Sequence, residues 1–200
     1  MYHDGQGVRQ SYSSAVRWFR DAAEAGHAEG MFNLGVMYER GRGVAQSDSE
    51  AARWYRAAAE AGHGSAMLNL GVMYQRGLGV GQSSSEALRW YRAAADAGNA
   101  QGMHNLGWMY FNGRGVAQNN AEAARWWRAA HDAGLHAQEG FSGAAWTRLG
   151  EFHHYGRGVA QNDAEAALWF GRAADRGHSE GKWWLAWAHA HGRGVPQDPA

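Results

Sequence analysis

The pattern Gly-x-Gly-Val begins at Gly5, Gly41, Gly77, Gly113, Gly156 and Gly192, so its copies are spaced 36, 36, 36, 43 and 36 residues apart. A fixed period of about 20 to 50 residues marks a stacked array, in which each unit buries its apolar face only against its neighbours. Trp18, Trp54, Trp90, Trp126 and Trp169 keep this spacing, as do Leu34, Leu70, Leu106, Leu149 and Leu185. The period also accounts for the composition: 29 glycines beside 11 tryptophans and two prolines in 200 residues. Collagen needs glycine at every third position, and a flexible linker would not interleave it with Trp, Tyr, Leu and Met.

Within one period the helix signals are explicit. Ser83-x-x-Glu86 is a capping box, repeated at Ser47 to Glu50, Asn119 to Glu122 and Asn162 to Glu165, with Ser11 to Ser14 as a degraded copy. The alanine-rich run Glu86 to Ala97 after it predicts a helix ending at Gly98, here called helix B. Ser65 to Arg76 predicts a second helix ending at Gly77, helix A. At 100° per residue, Ala66, Met67, Leu70, Gly71 and Tyr74 gather on one face of helix A, which predicts the core. The glycines inside helix A (Gly35, Gly71, Gly107, Gly150) predict close helix packing, with Tyr74 and Trp90 filling the gaps that small residues leave.

Ala66-x-x-x-Leu70-Gly71-x-x-Tyr74-x-x-Gly77-x-Gly79-Val80, a cap, and then Ala87-x-x-Trp90-Tyr91-Arg92-x-Ala94-Ala95-x-x-Gly98 resemble the Sel-one-like repeat (SLR) family, a relative of the tetratricopeptide repeat. The resemblance covers essentially the whole chain. It implies an all-α fold, a right-handed α-α superhelix or solenoid of 36-residue helix-turn-helix units with about five helix pairs. It also implies a non-catalytic scaffold or adaptor of the kind common in bacterial envelope and signalling proteins. The chain reads as one array over 1–200, with seven extra residues at 135–141 accounting for the 43-residue step. Both ends fall within a repeat, as expected of a segment of a longer array, and self-association through uncapped terminal repeats is a partner class this allows. The helix A tyrosine (Tyr38, Tyr74, Tyr110) becomes His153 and His189 in the last two copies.

In such a solenoid the partner is expected on the concave face of helix A. Its positions carry Asn33 and Arg40, Asn69 and Arg76, Asn105 and Trp108, Arg148 and Tyr155, then Trp184 and Trp187. Asn33, Asn69 and Asn105 could form an amide ladder for a peptide backbone, or simply belong to the repeat. The later copies turn aromatic, as interface anchors often are. A protein or peptide is the expected partner, with a cell-wall or glycan ligand stacked on the Trp-rich end as the alternative. Packing against a further repeat competes for Trp184 and Trp187 and is the preferred reading of Trp183.

Equal counts of Lys+Arg and Asp+Glu, 19 each, supply no net field toward nucleic acid. The arginine stripe Arg17, Arg53, Arg89 and Arg125, with Arg20, Arg56, Arg92 and Arg128, reads as a solvated face paired to Glu24, Glu60, Asp96 and Asp132. No apolar run approaches the roughly 20 residues of a membrane span, so direct membrane insertion is not expected, and the compartment stays open. The absence of cysteine excludes disulfides, a thiolate nucleophile and cysteine metal sites. His153-His154 and His189-x-His191 lack a completing carboxylate or cysteine, so neither a metal nor another cofactor is expected. His27, His63 and His178 precede helix A, where Asn99 replaces them, and read as caps. Ser179-x-x-Lys182 matches a β-lactamase element formally, but Lys182 is the sole lysine and no K-T-G or S-D-N accompanies it, so no enzyme is expected.

Overall fold

The computed structural model describes residues 11–135 and 143–195. Among them are ten α-helices and no strands: α1 (Tyr12–Glu24), α2 (Ala28–Arg40), α3 (Asp48–Glu60), α4 (Gly64–Arg76), α5 (Ser84–Asp96), α6 (Ala100–Asn112), α7 (Asn120–Asp132), α8 (Ala144–Tyr155), α9 (Asp163–Asp175) and α10 (Ser179–His191). Even-numbered helices are of type A and odd-numbered ones of type B. The chain divides into two compact units, Met1–Gly102 and Met103–Ala200. Of the seven extra residues, Leu135 is buried, and 136–141 lie outside the described residues.

Each helix starts and stops where its local chemistry dictates. The Ser47 and Ser83 hydroxyls accept from the Glu50 and Glu86 backbone N–H groups at 3.3 and 3.2 Å, and the Asn119 and Asn162 side chains do the same for Glu122 and Glu165. The degraded copy also works, since Ser11 Oγ accepts from Ser14 N–H at 3.3 Å. At the other end, Gly77 adopts φ 73, and its N–H bonds the Met73 carbonyl. The second glycine of the turn has a different task. A Cβ on Gly79 would run into the Asp48 and Ser49 backbone, and one on Gly158 would meet Asn120 and Ala121, so neighbouring repeats touch main chain to main chain.

In the first unit Leu34, Leu70, Ala51 and Ala87 are completely buried. The helix A glycines face an aromatic ring from the helix B of the same repeat. A Cβ on Gly35 would lie 2.7 Å from Tyr55, and one on Gly71 2.6 Å from Tyr91. The sequence expectation that Tyr74 and Trp90 fill this gap is therefore corrected by one residue. Trp90 is buried, but the ring against Gly71 is Tyr91. The second unit repeats the plan with Gly107 against Trp127 and Gly150 against Phe170.

Helix B is tied to the next helix A by its second arginine. Arg20 donates to the Tyr38 hydroxyl at 3.0 Å and Arg56 to Tyr74 at 2.5 Å. These arginines thus reach across the repeat junction, and the surface ion pairs form elsewhere: Arg53–Glu50, Arg89–Glu86 and Arg125–Glu122, each on one helix at i, i+3. Being exposed, such pairs contribute about 0–1 kcal/mol each. In the second unit Arg128 finds His153 at 2.8 Å, so the change from tyrosine to histidine preserves an acceptor. One copy later Gly171 stands at the arginine position, and His189 is exposed.

Candidate functional site

The exposed side of the A helices is polar in the first unit. Asn33 donates from Nδ2 to Glu29 Oε1 at 3.0 Å, and the other Glu29 oxygen receives His63 Nε2 at 3.0 Å, linking α2 to the start of α4. His63 Nδ1 accepts from Ala66 N–H at 3.2 Å, which leaves Nε2 as the protonated nitrogen. Tyr55, fully buried, donates its hydroxyl to Glu39 at 2.5 Å and also hydrogen-bonds Asn69. Burial, followed by the Glu39 carboxylate, holds the Tyr55 hydroxyl protonated far above its ordinary range. One repeat on, Tyr91 donates to Gln75 at 2.6 Å. Asn33 and Asn69 are thus both engaged by their own unit, while Arg40 and Arg76 are exposed in the last turns of α2 and α4. Asn105 lies on α6 in the second unit, half-buried and also engaged.

In the second unit the same positions are largely aromatic. Trp108 packs on Trp127 with centroids 4.9 Å apart and donates its indole N–H to His104 Nε2 at 3.0 Å. Burial pushes the His104 pKa down to about 4, so the ring is a neutral acceptor. Phe111 and Phe152 close this cluster around Trp127. A second cluster joins α8 and α10. Trp184 stacks on buried Phe170 at 5.2 Å with planes 7° apart, and its edges meet Tyr155 at 6.1 Å and Trp187 at 5.7 Å. His154 touches Trp184 and Trp187 while hydrogen-bonding Asp163 at 2.8 Å. Tyr155 is half exposed, with the Arg157 guanidinium 4.8 Å from its ring centre. Beside this patch Arg148 bonds both Glu151 oxygens, at 2.8 and 2.7 Å, and reaches Glu180 at 3.5 Å. Burial works against the Arg148 charge, but the Glu151 hydrogen bond and the two carboxylates raise its pKa.

The structure thus brings Tyr155, Trp184 and Trp187 together, sets Arg148 beside them, and puts Trp108 in a separate cluster. Sequence reasoning missed His154 and Phe170 as parts of the patch. The signal was present: His154 stands at the Glu39 and Gln75 position and Phe170 at the Tyr55 and Tyr91 position, so the positions that bond to each other in one unit both meet Trp184 in the other. Trp183, expected to pack against a further repeat, is 59% exposed, with its ring set T-shaped to Trp184.

The remaining candidates have structural partners. His178 Nδ1 accepts from Gly181 N–H at 3.3 Å and Asn99 Oδ1 from Gly102 N–H at 2.9 Å, as caps, whereas His27 makes no such bond. His153 bonds Arg128, and His191 donates to the Trp187 carbonyl. Among the described residues no three His, Cys, Asp or Glu side chains gather as metal ligands. Ser179 and Lys182 are both exposed on the first turn of α10. None of the described helices is long and apolar enough to cross a membrane.

The family model described as Sel1 repeat matches residues 1–27, 28–63, 64–99, 100–135, 145–178 and 179–200. Among solved structures, a protective antigen of uropathogenic Escherichia coli displaying an SLR fold is 36% identical with a TM-score of 0.86. The match covers 98% of this chain and 41% of that one, so the chain spans less than half of that protein's length. A Sel1 repeat protein from Oxalobacter formigenes is 29% identical with a TM-score of 0.82, over 94% of this chain and 74% of that one. No curated protein matches the chain.

Proposed function

The chain belongs to the Sel1 repeat family, whose members generally serve as non-enzymatic scaffolds for protein interaction, and from this we propose that it binds a protein or peptide on the exposed side of its A helices. The anchors are Tyr155, Trp184 and Trp187, flanked by Arg148. The observation that carries this reading is the aromatic patch joining α8 and α10. Its rings are held by packing from below, through Phe170, and offer large contact area with little side-chain entropy left to lose. The Arg148–Glu151–Glu180 group adds a polar rim. The first unit offers exposed Arg40 and Arg76 on its own A helices as hydrogen-bonding groups.

Selection of binders from a displayed peptide library by the wild-type protein, then titration against Tyr155→Ala and Trp187→Ala, tests this. An anchor residue contributes about 2 kcal/mol or more, so each variant should bind at least roughly 30-fold more weakly with its helical signal intact. Unchanged affinity in both variants would remove the patch from the reading. The half-exposed Tyr155 ring and the exposed Trp183 ring also favour a second reading, stacking on a glycan. Retention on peptidoglycan that both variants lose, with no peptide selected, would favour it.

A further inference from the structure

Among the described residues, the Arg-to-acceptor junctions of Arg20, Arg56 and Arg128 are chemically alike at neutral pH and unlike below it. Tyr38 and Tyr74 accept from Arg20 and Arg56 through a hydroxyl oxygen, a kind of acceptor that, unlike an imidazole nitrogen, is not a base in mild acid. At the α7–α8 junction the acceptor is an imidazole. His153 Nδ1 lies 3.3 Å from the Ala160 carbonyl, which can only accept, so Nδ1 carries the proton. Nε2 is therefore the lone-pair nitrogen that receives Arg128 Nη2 at 2.8 Å. His153 is 6% exposed. A proton added at Nε2 takes up that lone pair, so the hydrogen bond is lost and two cations face each other.

We propose that the α7–α8 junction is a proton-sensitive joint: protonation of His153 breaks its bond to Arg128 and loosens α8 from α7, while the Arg–Tyr junctions do not respond.

The charged groups facing His153 are Arg128 from α7 and Glu165 from α9, the latter 3.8 Å from the Arg128 guanidinium. Burial, foremost, lowers the ring's pKa and the Arg128 charge adds to this, outweighing the Ala160 carbonyl and Glu165, which favour the imidazolium. The sign follows. Below the ordinary histidine value of about 6.5 the unfolded chain binds this proton more readily than the folded one, so stability falls as pH drops toward the lowered folded value. Above about pH 6.5 the contribution is complete. The joint bears on the binding patch, because α8 carries Arg148 and Tyr155.

Amide hydrogen exchange at about pH 7.5 and about pH 5, corrected for the intrinsic rate, tests the joint in wild type, His153→Tyr and His153→Gln. His153→Tyr installs the residue of the other junctions, and His153→Gln keeps an uncharged acceptor in case the tyrosine variant does not fold. Wild type should lose protection in α8 several-fold on acidification while α2 keeps its own, and each folded variant should keep protection in α8. The buried His104 and the Asp163-bonded His154 are the same in all three proteins, so they cannot produce a difference between them. Protection in α8 that does not fall in wild type, or falls equally in a folded variant, overturns the proposal.

Discussion

The two units hold one aromatic ring per repeat in the same slot and surround it with opposite chemistry. In the first, Tyr55 and Tyr91 lie against Gly35 and Gly71 and send their hydroxyls to Glu39 and Gln75. In the second, Trp127 and Phe170 lie against Gly107 and Gly150, and their neighbours are Trp108, Phe111 and Trp184. The glycine is the common element. Lacking a side chain, it leaves a flat gap that phenol, indole or phenyl can enter, so the surface above the ring can change from hydrogen-bonding to stacking without altering the helix pair.

The largest expected blow to this comparison is Phe170→Ala. It removes the ring beneath Trp184 and should cost about 3–5 kcal/mol of stability in urea unfolding, along with near-UV circular dichroism from the tryptophans. Trp184 remaining ordered without Phe170 would show that the patch does not depend on the slot. Next comes Gly71→Ala, whose Cβ would meet Tyr91 at 2.6 Å. Overpacking of this kind costs about 1–3 kcal/mol, and Gly150→Ala should behave alike in the other unit if the slot is shared. Tyr55→Phe is the mildest. It deletes the hydroxyl bonded to Glu39 and Asn69, and a loss of about 0.5–1.5 kcal/mol in the same assay is expected. No loss would mean that water serves Glu39 and Asn69 equally well and that the polar character of the first unit is dispensable.

What could be read from sequence was what acts within one or two turns of chain. The caps at Ser47, Ser83, Asn119 and Asn162 and the terminating Gly77 rest on contacts a few residues long, and the cap side chains accept as expected. The glutamate of the capping box does not reach back, however: the Ser47 and Ser83 N–H groups go to the Tyr38 and Tyr74 carbonyls. The ring against Gly71 was misassigned from Tyr91 to its neighbour Trp90, because the choice depends on how two helices rotate against each other, to which local periodicity is blind. The arginines show the same limit. A carboxylate at i+4 suggested a partner for Arg56, but the Tyr74 hydroxyl, 18 residues away in sequence, takes it. On the candidate surface, individual positions were legible and their company was not. Tyr155, Trp184 and Trp187 were identifiable separately, whereas Phe170 and His154 complete the group only once α8, α9 and α10 are folded together.

The main-chain seat of Gly79 on Asp48, and of Gly158 on Asn120, has a consequence for how such a chain could be altered. Since no side chain takes part from the glycine side, this contact between consecutive repeats does not depend on what the exposed side of the A helices displays. A whole helix pair such as α8 and α9 could therefore be grafted in place of α4 and α5, transplanting an aromatic display into a polar stretch with this contact preserved.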